Sequence, residues 1–168
     1  MHTVTTPAVY VGTWHKYNCG SIYGKWFDLL EFDDKESFLA ACLALHADEA
    51  DPELMFQDWE GFPGDKGAEC SIDWDFIEAF REARNNGMEA AFLAWLQTGA
   101  DGNYQAFESA YLCEAESEEA YAIETVSDNG LLDSMPSNLR GYFDYEAYAR
   151  DLFMDGYVFS DGYVFVNR

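Results

Sequence analysis

The stretch ESAYLCEAESEEAYAIETVSDNGLLD, residues 108–133, decides whether this chain folds or stays a disordered acidic coil. It holds Glu108, Glu114, Glu116, Glu118, Glu119, Glu124, Asp128 and Asp133 and no Lys or Arg; nothing basic occurs between Arg84 and Arg140. A run this acidic ordinarily repels itself and remains unfolded. Here it is interleaved with Tyr111, Leu112, Tyr121, Ile123, Val126, Leu131 and Leu132, enough apolar matter to fold. The pattern asks for a rigid scaffold that holds negative charge in place. Locally it predicts a strand over 111–114 and then a helix over 118–128. Ser117 is placed to cap that helix, Glu118 and Glu119 sit in its positive first turn, and Asn129-Gly130 ends it.

Toward the C-terminus, Pro136 can open a short helix through Tyr142, and Asp144 can cap a helix over 145–152. GYVFSDGYVFV, residues 156–166, reads as a hairpin about the favoured turn pair Asp161-Gly162. Toward the N-terminus, Tyr104, Phe107 and Tyr111 suit a helix, or a helix running into a strand. MEAAFLAWLQT (88–98) predicts a helix stopped by Gly99. Trp74, Ile77, Phe80 and Arg81 fall at helical spacing behind Asp73, with Gly87 beyond the end. FPGDKG (62–67) marks a boundary. Before it, PAVYVGTWHKYNCGSIYGKWFDL (7–29) predicts strands near 8–14 and 22–30 joined by a loop at 16–21. DDKESFLAACLALHAD (33–48) predicts a helix capped by Asp33 or Asp34, with Phe38, Ala41, Cys42 and Leu45 on one face. ELMFQDW (53–59) supplies a third strand. The expected fold is α+β, an elongated chain of three small units. These are a β-rich unit with one helix (1–61), a helical unit (62–103), and an α+β unit ending in the hairpin (104–168).

The chain has 32 acidic and nine basic residues, a formal charge of −23, with 49% apolar and 17% aromatic residues. Self-repulsion at that charge favours an extended shape. A phosphate binder needs a basic patch, and none exists, so nucleic acid is excluded as a partner. Suitable partners are cationic: a basic groove on another protein, a metal ion or a polyamine. Residues 1–11 lack the features of a secretory signal, and no stretch approaches the roughly 18–20 apolar residues of a membrane span. The expected location is the cytoplasm. Cys19, Cys42, Cys70 and Cys113 are scattered without paired spacing and read as buried, reduced thiols.

Dedicated chemistry finds little support. His2, His15 and His46 are not paired with one another or with Cys at ligand spacing, and His15 with Cys19 offers only two zinc ligands. No segment has the carboxylate spacing of a calcium loop, so neither a metal nor a cofactor is expected. A carbohydrate hydrolase could pair two carboxylates in a cleft with Trp14, Trp26, Trp59, Trp74 or Trp95. With 32 acids, however, such pairs arise by chance. No phosphate-binding loop and no nucleophile–histidine arrangement is present, so no catalytic residue is expected. An acidic, solubility-adapted interaction module is a further alternative, but its acids should be spread evenly. Blocks of acids on a folded frame fit a different purpose, that of standing in for DNA phosphates. The candidates are Asp33, Asp34, Asp48, Glu49, Asp51, Asp58 and Glu60 in the first unit. Glu114, Glu116, Glu118, Glu119, Glu124, Asp128 and Asp133 are the candidates in the last.

The block from Leu112 through Cys113, Glu114, Ala115, Glu116, Ser117, Glu118, Glu119, Ala120 and Tyr121 to Ala122 resembles the antirestriction motif of ArdA-type antirestriction proteins. AVYVGTWHKYN (8–18) followed by GKWFD (24–28) is similar to that family's start, and DYEAYARDL (144–152) to its C-terminal signature. The resemblance implies a protein of mobile genetic elements that protects incoming DNA from type I restriction–modification enzymes. It further implies an elongated, three-domain homodimer that imitates bent B-form DNA and joins through its C-terminal domain. Tyr142, Phe143, Tyr145, Tyr148 and Phe153 crowd that region and are the expected dimer contacts; the alternative is that they fill the core beneath the hairpin.

Overall fold

A computed structural model describes residues 4–63 and 71–167 as a mixed α+β chain with two small antiparallel sheets. Two compact units result, residues 1–93 and 94–168. The expected boundary segment 62–67 lies partly outside the described residues, and so does Cys70.

In the first unit, β1 (Ala8–Thr13) is the central strand between β2 (Lys25–Asp28) and β3 (Leu54–Glu60), with order β2-β1-β3. Val9, Val11 and Phe27 are buried on the inward face, where Phe27 meets α2 (Lys35–Leu45). Phe38 of α2 centres this core: its ring lies 5.9 Å from Phe27, 5.5 Å from Phe32, 6.1 Å from Phe56 and 5.9 Å from Trp74. Trp74 opens α3 (Trp74–Asn85), whose Ile77 and Phe80 are fully buried. Arg81 from the same helix donates to the backbone carbonyls of Phe32, Leu29 and Asp33. The α2 cap is Asp34, not Asp33, and it forms a reciprocal box with Ser37.

The opening departs from the expected strand–loop–strand. A short helix, α1 (Trp14–Asn18), begins where the strand was expected to continue, because the Thr13 hydroxyl accepts the Lys16 N–H and winds the chain. β2 is shorter than the expected 22–30 for a similar reason. Asp28 accepts from the Leu30 N–H at 2.9 Å and starts a 3-10 turn at Leu29–Glu31. Cys19 is exposed, contrary to the expectation of buried thiols, whereas Cys42 is buried, which pushes its thiol up to about 12.

The second unit begins at Ala94, within α4 (Glu89–Gln97), and continues with α5 (Tyr104–Ala110), which runs directly into β4 (Tyr111–Glu114). β4 pairs with β6 (Tyr163–Val166), and β6 with β5 (Tyr157–Ser160). The β5–β6 turn has Asp161 at φ 48° and Gly162 at φ 87°, the two left-handed residues that a twisted two-residue hairpin requires. On one face Phe107 of α5 packs against Trp95, Tyr104, Tyr111 and Phe165 at ring distances of 5.5–6.2 Å. On the other lie α6 (Glu118–Asp128) and α7 (Tyr145–Met154), joined to the sheet where Tyr121 meets Phe153 and Tyr157. The helix expected from Pro136 is only a 3-10 turn, Arg140–Tyr142. There Leu139 supplies no side-chain cap, and the Arg140 guanidinium turns back to the carbonyls of Met135 and Asp133, both at 3.0 Å.

Candidate functional site

The acidic motif is built as its residues dictate. The Ser117 hydroxyl accepts the Ala120 N–H at 3.0 Å and starts α6, which buries Ala122 and Val126. That orientation turns Glu118, Glu119, Glu124 and Asp128 to solvent. Glu124 and Asp128, four residues apart, stand ~6 Å apart along the helix. Glu114 at the end of β4 and Glu116 in the following turn are exposed as well, as is Asp133. Among the described residues, no ion pair involves any of these seven acids. Close by, burial raises the Tyr111 and Cys113 groups, and Glu114 and Glu124 respectively raise them further.

The first-unit candidates divide into two kinds. Asp33, Asp34, Asp51, Asp58 and Glu60 are exposed. Asp58 and Glu60 alternate along β3, so their side chains share one face ~6–7 Å apart. Asp48 and Glu49 are instead tied into a local cluster. Lys16 Nζ lies 2.8 Å from Asp48 Oδ1, 3.4 Å from Glu49 Oε2 and 2.8 Å from His46 Nδ1. Glu49 also accepts from the Thr13 hydroxyl at 2.7 Å, and the ammonium rests over the Tyr23 ring at 4.9 Å. Sequence reading missed this cluster because Lys16 and Asp48 are 32 residues apart.

His46, Asp48 and Glu49 bring three potential ligand atoms within 4.8 Å of one another. Lys16 bonds to all three residues, so a protein cation already occupies the position between them. His46 is fully buried, and its Nε2 is 3.3 Å from the Val11 carbonyl, which accepts when that nitrogen carries the proton. Nδ1 is then the acceptor for Lys16.

The carboxylate-pair alternative has a weak setting. An open groove of about 440 Å³ in the second unit is lined by Trp95, Ala106, Val158 and Phe165, with Asp101 as its single carboxylate. Trp74 stacks on Phe38 and Trp95 meets Phe107 edge-on, so both rings serve packing. Of the aromatics assigned to a dimer contact, Phe143 packs on Tyr145 and Tyr148, and Phe153 on Tyr121 and Tyr157. Tyr142 is 84% exposed, and Leu131, Leu139 and Met154 are exposed in the same unit. No helix among the described residues is long and apolar enough to cross a membrane.

No curated protein matches the chain. The sequence model of the family described as Antirestriction protein (ArdA) matches residues 9–165, which takes in every helix described above and both sheets but for the first residue of β1 and the last of β6. The chain belongs to the ArdA family of antirestriction proteins, whose targets are restriction–modification enzymes.

Proposed function

We propose that this protein is a non-catalytic mimic of duplex DNA that occupies the DNA-binding groove of type I restriction–modification enzymes and so protects incoming mobile-element DNA. The observation that carries this reading is the set of exposed carboxylates on regular elements and the turns beside them, above all the seven from Glu114 to Asp133 with no ion pair among the described residues. Duplex DNA presents one charge per ~1.7 Å of axis, so ~3.4 Å per strand. Same-face acids ~6–7 Å apart on a helix or strand therefore match every second phosphate of one strand. The chain's formal charge of −23 doubles in a homodimer, and at DNA's charge density that corresponds to ~78 Å of duplex.

A dimer joined through the second unit fits this reading. The exposed Tyr142, next in sequence to the Phe143 ring that packs on Tyr145 and Tyr148, offers an apolar contact in a chain whose charge otherwise opposes association. The deciding experiment is competition. The purified protein should displace duplex DNA from a type I modification enzyme stoichiometrically, without turnover and less effectively as salt rises. Binding that left the enzyme's DNA affinity unchanged rejects mimicry, and sedimentation showing only monomer at micromolar concentration rejects the dimer.

A further inference from the structure

A bare charge array does not account for the outward face of the first sheet. Tyr10 of β1 pairs with Trp26 of β2 on one side and with Asp58 of β3 on the other. In the next outward row, Ala8 pairs with Asp28 and Glu60. Residues two apart on a strand share a face, so these six side chains stand together, while the intervening Val9 and Phe27 are buried beneath them. The result is an aromatic pair inside a frame of three carboxylates.

The pair is held in place. Tyr10 and Trp26 meet edge-on, with centroids 5.7 Å apart and planes at 66°, and Trp26 is 40% exposed. The Tyr10 hydroxyl donates to the Ile22 carbonyl at 2.6 Å. Gly24 makes room for that ring: a Cβ there would lie 2.9 Å from Tyr10 Cε1 and 2.3 Å from the Val11 carbonyl oxygen. Two of the carboxylates are also oriented, since Asp28 accepts from the Leu30 N–H and Asp58 from the Trp59 N–H, both at 2.9 Å.

Ring faces attract cations, most strongly at Trp, and carboxylates around the ring add charge-assisted hydrogen bonds. A planar guanidinium can stack on the ring and bond to the frame at once, which an ammonium does less well. We infer that Tyr10, Trp26, Asp28, Asp58 and Glu60 form a seat for an arginine side chain of the partner protein. The identity of that partner rests on the mimic reading, in which a basic DNA groove supplies the arginine; the seat itself rests on the sheet. A second copy of this chain is a poor occupant, because it would bring three more carboxylates to the same face.

Hydroxyl-radical footprinting of the wild-type protein tests the seat without relying on a variant that folds. With a type I modification enzyme bound, Trp26 and Tyr10 should lose most of their reactivity. In a competition assay Trp26→Leu should weaken displacement of DNA about 3- to 30-fold, with Trp26→Phe retaining much of it. Neither should alter the salt dependence, since no charge is removed. If the enzyme binds while Trp26 stays as reactive as in the free protein, the seat is wrong and mimicry stands. If the enzyme does not bind at all, mimicry fails. A hexa-arginine peptide then decides the seat alone: protection of Trp26 and Tyr10 supports it, and unchanged reactivity overturns it.

Discussion

Residues 1–93 hold eighteen acidic and six basic residues, and residues 94–168 hold fourteen and three, so the two compact units carry formal charges of −12 and −11. They dispose of that charge differently. In the first, Lys16 is 12% exposed and bonded to Asp48, Glu49 and His46, which offsets part of the charge of two acids although the Asp48 side chain stays 65% exposed. In the second, Arg140 is committed to backbone carbonyls, and Arg150 makes a loose 3.7 Å pair with Asp151, with both side chains exposed. Formal charge is thus a poor guide to the charge a unit presents. The second unit shows its acids; the first also spends some on its own stability.

The largest effects test whether each unit stands on its own aromatic core. Phe107→Ala should cost the second unit about 3–5 kcal/mol and Phe38→Ala the first unit a similar amount, because both rings are fully buried. Chemical denaturation followed by circular dichroism checks this, and an exposed-site cost below about 1 kcal/mol for either would reject the core assignment. Binding should follow the free acids. Changing Glu114, Glu116, Glu118 and Glu119 together to Gln should cost roughly 1–4 kcal/mol of enzyme binding, at ~0.2–1 each, and flatten its salt dependence. Asp51→Asn with Asp58→Asn should flatten it as well, whereas Asp48→Asn with Glu49→Gln should flatten it less, since Lys16 already offsets one of that pair's two charges. Equal salt slopes for the two first-unit pairs would erase the contrast between bound and free acids.

Much of this was legible in the sequence because it is local. Ser117, Asp144 and Asp73 cap the helices their spacing suggested, and Asp161-Gly162 forms the hairpin turn. What was not legible depends on distant partners or on one side chain choosing between two acceptable conformations. Thr13 suits a strand, yet its hydroxyl caps α1 and also bonds to Glu49, 36 residues away. The outward acids were legible as a class but not individually: Glu49 and Asp58 look alike in sequence, and only the fold shows one held by Thr13 and the other on an open sheet face.

The caps extend the comparison at intermediate cost. Thr13 is fully buried, so Thr13→Val leaves the Lys16 N–H without its side-chain acceptor and Glu49 with only the Lys16 ammonium, and should cost about 1–3 kcal/mol. Ser117 caps an exposed helix start, and Ser117→Ala should cost about 1 kcal/mol. Ser117→Ala should leave the salt dependence of binding intact, because it removes no charge. Thermal melts of the two variants rank them; a larger loss for Ser117→Ala would place the more critical polar contact in the second unit.

The smallest expected effect is the pH dependence of the Lys16 cluster. The bond from Lys16 holds Asp48 below its ordinary value against the opposing effect of burial. For Glu49 the Thr13 hydroxyl is the main cause, with Lys16 adding to it and burial again opposing. A carboxyl lowered in the folded state binds fewer protons there than in the unfolded chain. Its contribution is therefore complete above the unfolded carboxylate range of about pH 4, and is lost as pH falls through the lower folded values. Burial alone would lower Lys16, but its bonds to Asp48 and Glu49 outweigh that and raise it. Its contribution is complete below the ordinary lysine value of 10.5 and is lost as pH rises through the folded one. Between those limits neither the two carboxylates nor Lys16 should add pH dependence. Denaturation midpoints of wild type and Lys16→Met, measured from pH 7 to pH 3, should converge toward the acid end, and high salt should narrow the gap at neutral pH. A gap that stays constant down to pH 3 would show that Lys16 acts by packing over Tyr23 and not through its two carboxylates.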